Sequence, residues 1–531
     1  MTRAVIDPVT RIEGHLRVEC EVTDGVVSDA WVSGTLYRGM ESVLKGRHPE
    51  DAFYVSQRIC GVCPTSHGHA SSMATENALG ITIPNGARII RNILECAEFL
   101  HSHLLWFYTL TALDYVSPIN ALSANIADTY SLAEQAGARV ADFGAIAKRL
   151  TAFAENGQLS ILTGHYWDHP GYVLPPELDL IATAHYLEAL EMQAVAAEVV
   201  AIIGGKFPHP MTSVPGGTAF VPTDQKLDDI LFRLQRVKDF IDTALIPDTL
   251  AIAPYILDAT TYGKGVGNYL SWGVFDNEDM DPYNRFLPRG FMSGSLAVEK
   301  VGAEDVTEYT SHSWYDSATN LNPSKGETDV KFTSYDVNDR YSYGKAARCK
   351  DKPAEVGPLA RMLVSYVNEA GGKSPIPDAW ANTVRTPKKL IDGTLEALGV
   401  AGKPEVLQSL LGRVAARNLE AAYVVDLSLQ FTNELITAIK GGDVSFFKAP
   451  EKFDGAGAGL WEAPRGSVGH WIDIKGNQIE RYQVVAPTTW DIAPRDDNGV
   501  RGPMEESLVG APCVDTERPL ELLRIAHSFD P

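Results

Sequence analysis

Three long stretches of apolar residues at helical spacing set the frame for this chain. From Asn85 to Leu113, Ile89, Ile93, Leu94, Phe99, Leu100, Leu104 and Trp106 recur at mixed three- and four-residue intervals. Pro176-Glu177 opens a second run through Ile203, ended by Gly204-Gly205, and a third runs from Pro404 to Lys440 before Gly441-Gly442. Proline suits a first helical turn, whose N–H groups have no partner anyway, and glycine suits the left-handed stop. Helices of roughly 25–35 residues, rising 1.5 Å per residue, run the depth of a large domain. Apolar faces of that length must cover one another, which predicts a central helical bundle.

The β signals lie towards the two ends. Leu16, Val18, Cys20 and Val22 alternate with Arg17, Glu19 and Glu21; Asp24-Gly25 follows, then Val26-Val27 and Trp31-Val32. That pattern predicts a hairpin with a type I′ turn. Between Gly466 and Val485, Val468, Trp471, Ile472, Ile474 and Ile479 predict a small sheet turning at Lys475-Gly476-Asn477. Residues 262–350, rich in Gly, Tyr, Ser, Asp and Asn, read as loops and short strands outside the bundle. The predicted fold is mainly α (α+β), a central bundle of long helices with small β elements at its ends. Both ends point to one site, so residues 1–531 read as a single interwoven domain: a β hairpin over 1–35, a helical core over 50–440, and a C-terminal β and active-site segment over 460–531.

A formal net charge of −22 excludes the basic footprint that nucleic-acid binding needs. Met1 to Asp7 has no basic segment followed by an apolar run, and no stretch of about 18 uncharged apolar residues predicts a membrane span. Work outside the cytoplasm therefore calls for export by some other means. The six cysteines, Cys20, Cys60, Cys63, Cys96, Cys349 and Cys513, are too few for a disulfide scaffold. Only Cys60 and Cys63 have ligand spacing; the other four read as buried apolar fillers.

Cys60-Gly61-Val62-Cys63 places two sulfurs where one loop can clasp one soft metal. Taken alone, the motif leaves three readings open: a redox dithiol, half of a zinc or other tetrathiolate site, or structural cysteines. Thioredoxin-like use expects a βαβ neighbourhood, which the pattern lacks, and zinc needs a second pair, which the chain lacks.

Several blocks, in order along the chain, resemble the large subunit of nickel–iron hydrogenases. They are Asp7-Pro8-Val9-Thr10-Arg11-Ile12-Glu13-Gly14-His15, Tyr37-Arg38-Gly39-Met40-Glu41, Arg58-Ile59-Cys60-Gly61-Val62-Cys63, Glu355-Val356-Gly357-Pro358-Leu359-Ala360-Arg361, Glu462-Ala463-Pro464-Arg465-Gly466, Pro494-Arg495-Asp496, Gly502-Pro503 and Ser528-Phe529-Asp530-Pro531. The likeness is greatest to the respiratory uptake group, nickel–iron–selenium members included. It implies heterolytic, reversible cleavage of H2 at a nickel–iron centre whose iron carries carbon monoxide and cyanide. Cys60 would be a terminal nickel ligand and Cys63 a bridging one, with His67 hydrogen-bonded to the bridging sulfur. Pro464, Arg465 and Thr488 would line the diatomic ligands, and Asp114 and Asp530 would hold Arg465. Glu13 would take the proton from the terminal sulfur, and Glu41 with the carbonyl of Val484 would bind magnesium. His101 and His103 read as packing or interface residues.

The resemblance also implies a separate small subunit carrying iron–sulfur clusters, since this chain has no cysteines to spare for them. A membrane cytochrome or a soluble cytochrome c would accept the electrons, and maturation proteins would assemble the centre. The partner's twin-arginine signal would carry the folded pair to the periplasm. One departure matters. The family pattern continues Asp-Pro-Cys-x-x-Cys-x-x-His, and this sequence stops at Pro531. Selenocysteine as the next residue, a trimmed sequence and a true end are the three explanations, in that order. The rival functions are a hydrogen-sensing relative, told apart by its partner, and a metal-free scaffold like the complex I subunit of the same fold. Cys60, Cys63 and Glu13 argue against the scaffold.

Overall fold

The computed structural model describes residues 2–163, 169–443 and 445–531. At its centre the helix Leu410–Lys440 packs on Asn85–Leu104, which packs on Pro176–Gly204, which packs in turn on Asp224–Phe240. Asn85–Leu104 is buried on nearly every side, as a helix at the middle of a bundle must be. The predicted bundle is therefore present, with three refinements. The first run continues past Leu104 as a π-helical segment, Leu105–Thr111, and a short 3-10 turn, Ala112–Asp114. The three- and four-residue spacing from Ile89 to Leu104 is that of an ordinary α-helix and gives no sign of the wider turn that follows. The third run breaks: Pro404–Leu407 is a separate 3-10 turn, and Ser409 starts the main helix by accepting the Gly412 N–H at 3.1 Å. A further long helical stretch, Asp224–Thr260, is by length and composition long and apolar enough to cross a membrane. Here it packs its apolar face, Leu227, Ile230, Leu234, Val237, Phe240 and Ile241, into the core.

The N-terminal hairpin pairs Leu16–Thr23 with Val26–Gly34, and both turn residues, Asp24 and Gly25, have positive φ as a type I′ turn requires. Thr2–Ile6 adds a third antiparallel strand that the alternation did not disclose. The C-terminal sheet also has three strands, Gly455–Ala463, Gly466–Lys475 and Gln478–Val485, with the middle one central. Its first strand reads Gly-Ala-Gly-Ala-Gly and has no apolar period to find. The reason is packing: a Cβ on Gly457 would lie 2.4 Å from the Ala78 nitrogen, and one on Gly459 1.9 Å from the Ala70 oxygen. The strand backbone thus lies directly on the helix Pro64–Leu79. Residues 262–350 form short strands and turns as predicted, including Asn268–Ser271, Gly290–Ser293, Val306–Tyr309 and Ala346–Cys349.

A buried polar knot ties three helical elements together. His185 Nδ1 lies 2.8 Å from Asp248 Oδ1, its Nε2 donates to the Arg139 carbonyl at 2.9 Å, and Tyr108 donates to Asp248 Oδ2 at 2.8 Å. Burial works against a charged His185, but the Asp248 carboxylate outweighs it and the imidazole is held above its ordinary range. A raised folded value means that the pair's stabilisation is full below about pH 6.5 and is lost as pH climbs through that folded value. His185→Gln is expected to cost about 3–5 kcal/mol. The gap in melting temperature from the parent should be widest near pH 6 and narrow at higher pH. A gap that stays constant across the range would refute the charged pair.

Candidate metal centre

Cys60 follows the 3-10 turn Gln57–Ile59 in extended conformation, and Cys63 sits at the N-cap of the helix Pro64–Leu79. Both thiols are buried, and the Cys63 N–H donates to the Cys60 sulfur at 3.1 Å. Hydrogen bonding from Cys63 and the charge of Arg465 hold the Cys60 thiol below its usual range against the pull of burial. The same hydrogen bond and burial push Cys63 up. Cys60 is thus the better thiolate of the two. Glu13 reaches this loop: its Oε1 accepts the Gly61 N–H at 2.9 Å, and its own N–H donates to the Pro531 carbonyl at 3.2 Å. Glu13, Gly14, His15 and Gly61 are exposed, so the thiols lie one layer beneath the surface.

Pro464 and Arg465 form the two-residue turn between Gly455–Ala463 and Gly466–Lys475. Arg361 holds that turn, donating to the carbonyls of Ala463 and Pro464 at 2.9 Å each while paired with Glu420 and Glu462. Arg465 Nη2 meets Asp530 Oδ1 at 2.9 Å, and Asp530 Oδ2 lies 3.0 Å from Arg417. Asp530, Cys60, Cys63 and Glu13 together offset burial and keep the Arg465 guanidinium charged. Its Nε and Nη1 are buried and have no hydrogen-bond partner among the described residues. Two idle donors on a buried cation are costly unless an anionic or strongly polar group meets them. Two buried thiols coupled to a buried cation with donors to spare make a donor set that suits a metal group with negatively polarised ligands.

Other predicted positions need correction. Asp114 does not hold Arg465. It pairs with Arg11 and, at 2.6 Å, with His527 Nδ1, and these partners keep its carboxyl down at about 2 despite full burial. The π-helical segment before it turns it towards the C-terminal helix Leu520–Ser528. His67 Nδ1 lies 3.0 Å from His470 Nε2, and among the described residues no hydrogen bond joins its ring to the Cys63 sulfur. Glu41 and Val484 do meet, but through the Val484 N–H, which donates to Oε1 at 2.9 Å, while Thr328 takes Oε2. With both oxygens engaged and no cluster of three acidic or His/Cys donors among the described residues, a magnesium shell is not preformed there. Thr488 sits half-buried in the short helix Pro487–Asp491. His103 bonds Glu420 at 2.9 Å and His101 stacks on Phe207, both packing roles as predicted.

The sequence reading missed Arg417, Glu420 and Glu98 as groups that support the site. The signal was available. Arg413, Arg417 and Glu420 fall on one face of an otherwise apolar helix, as do Arg88, Arg91, Glu95 and Glu98 of another, and all seven are buried.

A helical bundle that brings both ends of the chain to a buried pair of thiols, beside a buried guanidinium anchored by Asp530, has the make-up of a thiolate metal site. The model of the nickel-dependent hydrogenase family matches residues 38–531, and a HoxL-like model matches residues 3–33. The Hydrogenase-2 large chain of Escherichia coli K12 is 38% identical, across 100% of this chain and 96% of that one. The uptake hydrogenase large subunit of Rhodobacter capsulatus is also 38% identical, across 100% and 94%. Among solved structures, the oxidised Ni-Fe-Se hydrogenase of D. vulgaris Hildenborough aligns with a TM-score of 0.81 at 32% identity, covering 100% of this chain and 98% of that one. The reduced enzyme of Desulfomicrobium baculatum aligns at 0.80 and 33%, covering 100% and 99%. The chain belongs to the nickel-dependent hydrogenase family, as a large subunit of an oxidoreductase acting on H2.

Proposed function

We propose that Cys60 and Cys63 hold a nickel–iron centre, with Pro464, Arg465 and Thr488 facing carbon monoxide and cyanide on the iron. The observation that carries this is the Arg465 guanidinium, anchored by Asp530 with two buried donors left over beside two buried thiols. When bound, the metal pair supplies the Lewis acidity and redox capacity that split H2 into protons and electrons.

The chain's own groups do the rest. Arg465 offers Nε–H and Nη1–H to the polarised ligands and fixes their direction. The Cys60 sulfur, on the loop that Glu13 reaches, would receive the proton. Glu13, tethered to Gly61 by one carboxylate oxygen, keeps the other free to take that proton and, being exposed, to release it. Electrons leave to an iron–sulfur small subunit, the partner that a large subunit implies. The exposed rim of Glu13, Gly14, His15, Leu36 and Gly61 favours docking close to the thiols.

Magnesium at Glu41 and the Val484 carbonyl is a weaker proposal, because Glu41 must first give up its contacts with the Val484 N–H and Thr328. A periplasmic site, a cytochrome acceptor and maturation proteins follow from the family resemblance; the single interwoven domain follows from both chain ends contributing to one site. The test is to purify the chain with its small subunit and measure nickel and hydrogen-dependent dye reduction. Nickel near one atom per chain with dye reduction is expected; a folded pair without nickel would overturn the reading.

A further inference from the structure

The helix Pro64–Leu79 starts on a residue that cannot cap it. An N-cap side chain normally accepts the N–H of the second or third helical residue. Here the N-cap is Cys63, whose side chain makes no such bond, and Pro64 brings no N–H at all. The two amides left, Thr65 and Ser66, point at a carboxylate from the facing helix: Thr65 N–H donates to Glu98 Oε1 at 2.7 Å and Ser66 N–H to Glu98 Oε2 at 3.0 Å.

A count of protons fixes the charge. The Ser66 hydroxyl lies 2.8 Å from Glu98 Oε2 and also contacts Glu95 Oε1. One hydroxyl carries one proton, so it donates to one carboxyl and accepts from the other. Both oxygens of Glu98 already receive amide protons. Glu98 is therefore the anion and Glu95 the neutral acid that donates to Ser66. Burial raises both carboxyls, but the Thr65 and Ser66 donors hold Glu98 back while burial and the neighbouring Glu98 push Glu95 well above the usual range, in line with that division. His69 Nδ1 stands farther off, 3.4 Å from Glu95 Oε2.

We propose that Glu98 is a positioning residue for the Cys63 sulfur: it supplies from across the bundle the anionic helix cap that a metal-binding cysteine cannot provide. This rests on the reading that Cys63 holds metal. Without such a cap, the positive end of the helix would draw on the thiolate. With it, the amides are satisfied by Glu98 and the sulfur keeps its electron density for the metal pair. Glu98 touches none of the reacting atoms; it acts through the first turn of the helix.

The test compares Glu98→Gln with Glu95→Gln in the holoenzyme with its small subunit. Amide hydrogen exchange at Thr65 and Ser66 should quicken by about tenfold or more in Glu98→Gln, the loss of a charge-assisted bond. The infrared stretches of carbon monoxide and cyanide should move to higher wavenumber, because a Cys63 sulfur drawn on by the helix end would feed less electron density to the metal group. Glu95→Gln swaps one neutral group for another and should leave both readouts near the parent's. Parental exchange and bands in Glu98→Gln, or an equal shift in Glu95→Gln, would overturn the proposal. If Glu98→Gln does not fold, Glu98→Asp is read instead: it keeps the charge but falls short of the amides, so fast exchange with nickel retained is expected and parental exchange refutes the cap. A parent enzyme without those infrared bands would sink the metal reading, and the exchange result would still decide the cap.

Discussion

Cys60→Ala should purify as a folded chain that holds no nickel and shows no hydrogen-dependent dye reduction. The thiol packs only in a small cluster with Cys63, Val62 and Ala463, apart from the main core, so its removal costs little stability. What it removes is one of the two sulfurs this sequence brings to the centre, and a thiolate lost from a metal shell is not replaced by a methyl group. Elemental analysis of the purified pair checks this directly. The controls are Cys349→Ala and Cys96→Ala, whose thiols burial holds far above their usual range and which lie in apolar clusters. Both should retain nickel. Stoichiometric nickel in Cys60→Ala would end the assignment.

Glu13→Gln should do the opposite, keeping the metals and losing the proton. Glutamine retains the oxygen that accepts the Gly61 N–H, so the loop holding Cys60 stays in place. It cannot carry a proton at neutral pH. Hydrogen–deuterium exchange is therefore expected to fall by roughly 10²–10⁴, the usual worth of a positioned acid–base group. Nickel content should be unchanged. Full exchange activity in this variant would show that protons leave by another route.

How much of this was legible beforehand depends on which physical signal each element left. The long helices showed in their apolar spacing, and the first hairpin in Asp24-Gly25, because periodicity and turn chemistry are local. The strand Gly455–Ala463 was silent, since glycines chosen for contact with a helix backbone leave no pattern of side chains. The break at Gln408-Ser409 was hidden because apolar residues continue on either side of it. At the candidate site, Cys60, Cys63, Glu13 and Arg465 were singled out by their motifs, and the structure joins Glu13 to the cysteine loop and Asp530 to Arg465. Asp114 was joined to the wrong arginine. Nothing local in the sequence announces that Arg11 and His527, more than 500 residues apart, converge on it. Glu98 went unnoticed because a buried carboxylate on the next helix, 35 residues from the motif, reads as a lone polar residue until its partners are seen.

His527 Nε2 lies 2.8 Å from the Thr10 carbonyl, and the Glu13 N–H reaches Pro531. These bonds set a timetable. At 5–20 residues per second, a ribosome needs about half a minute to two minutes to travel from the first partner to the second. For most of that interval Cys60 and Cys63 are already made while Asp530, which anchors Arg465, is not. The thiols thus wait, with the face they will later share still open, for Asp530 to arrive. Closure of the site is a late event in the life of each molecule, and whatever loads metal has that window in which to act.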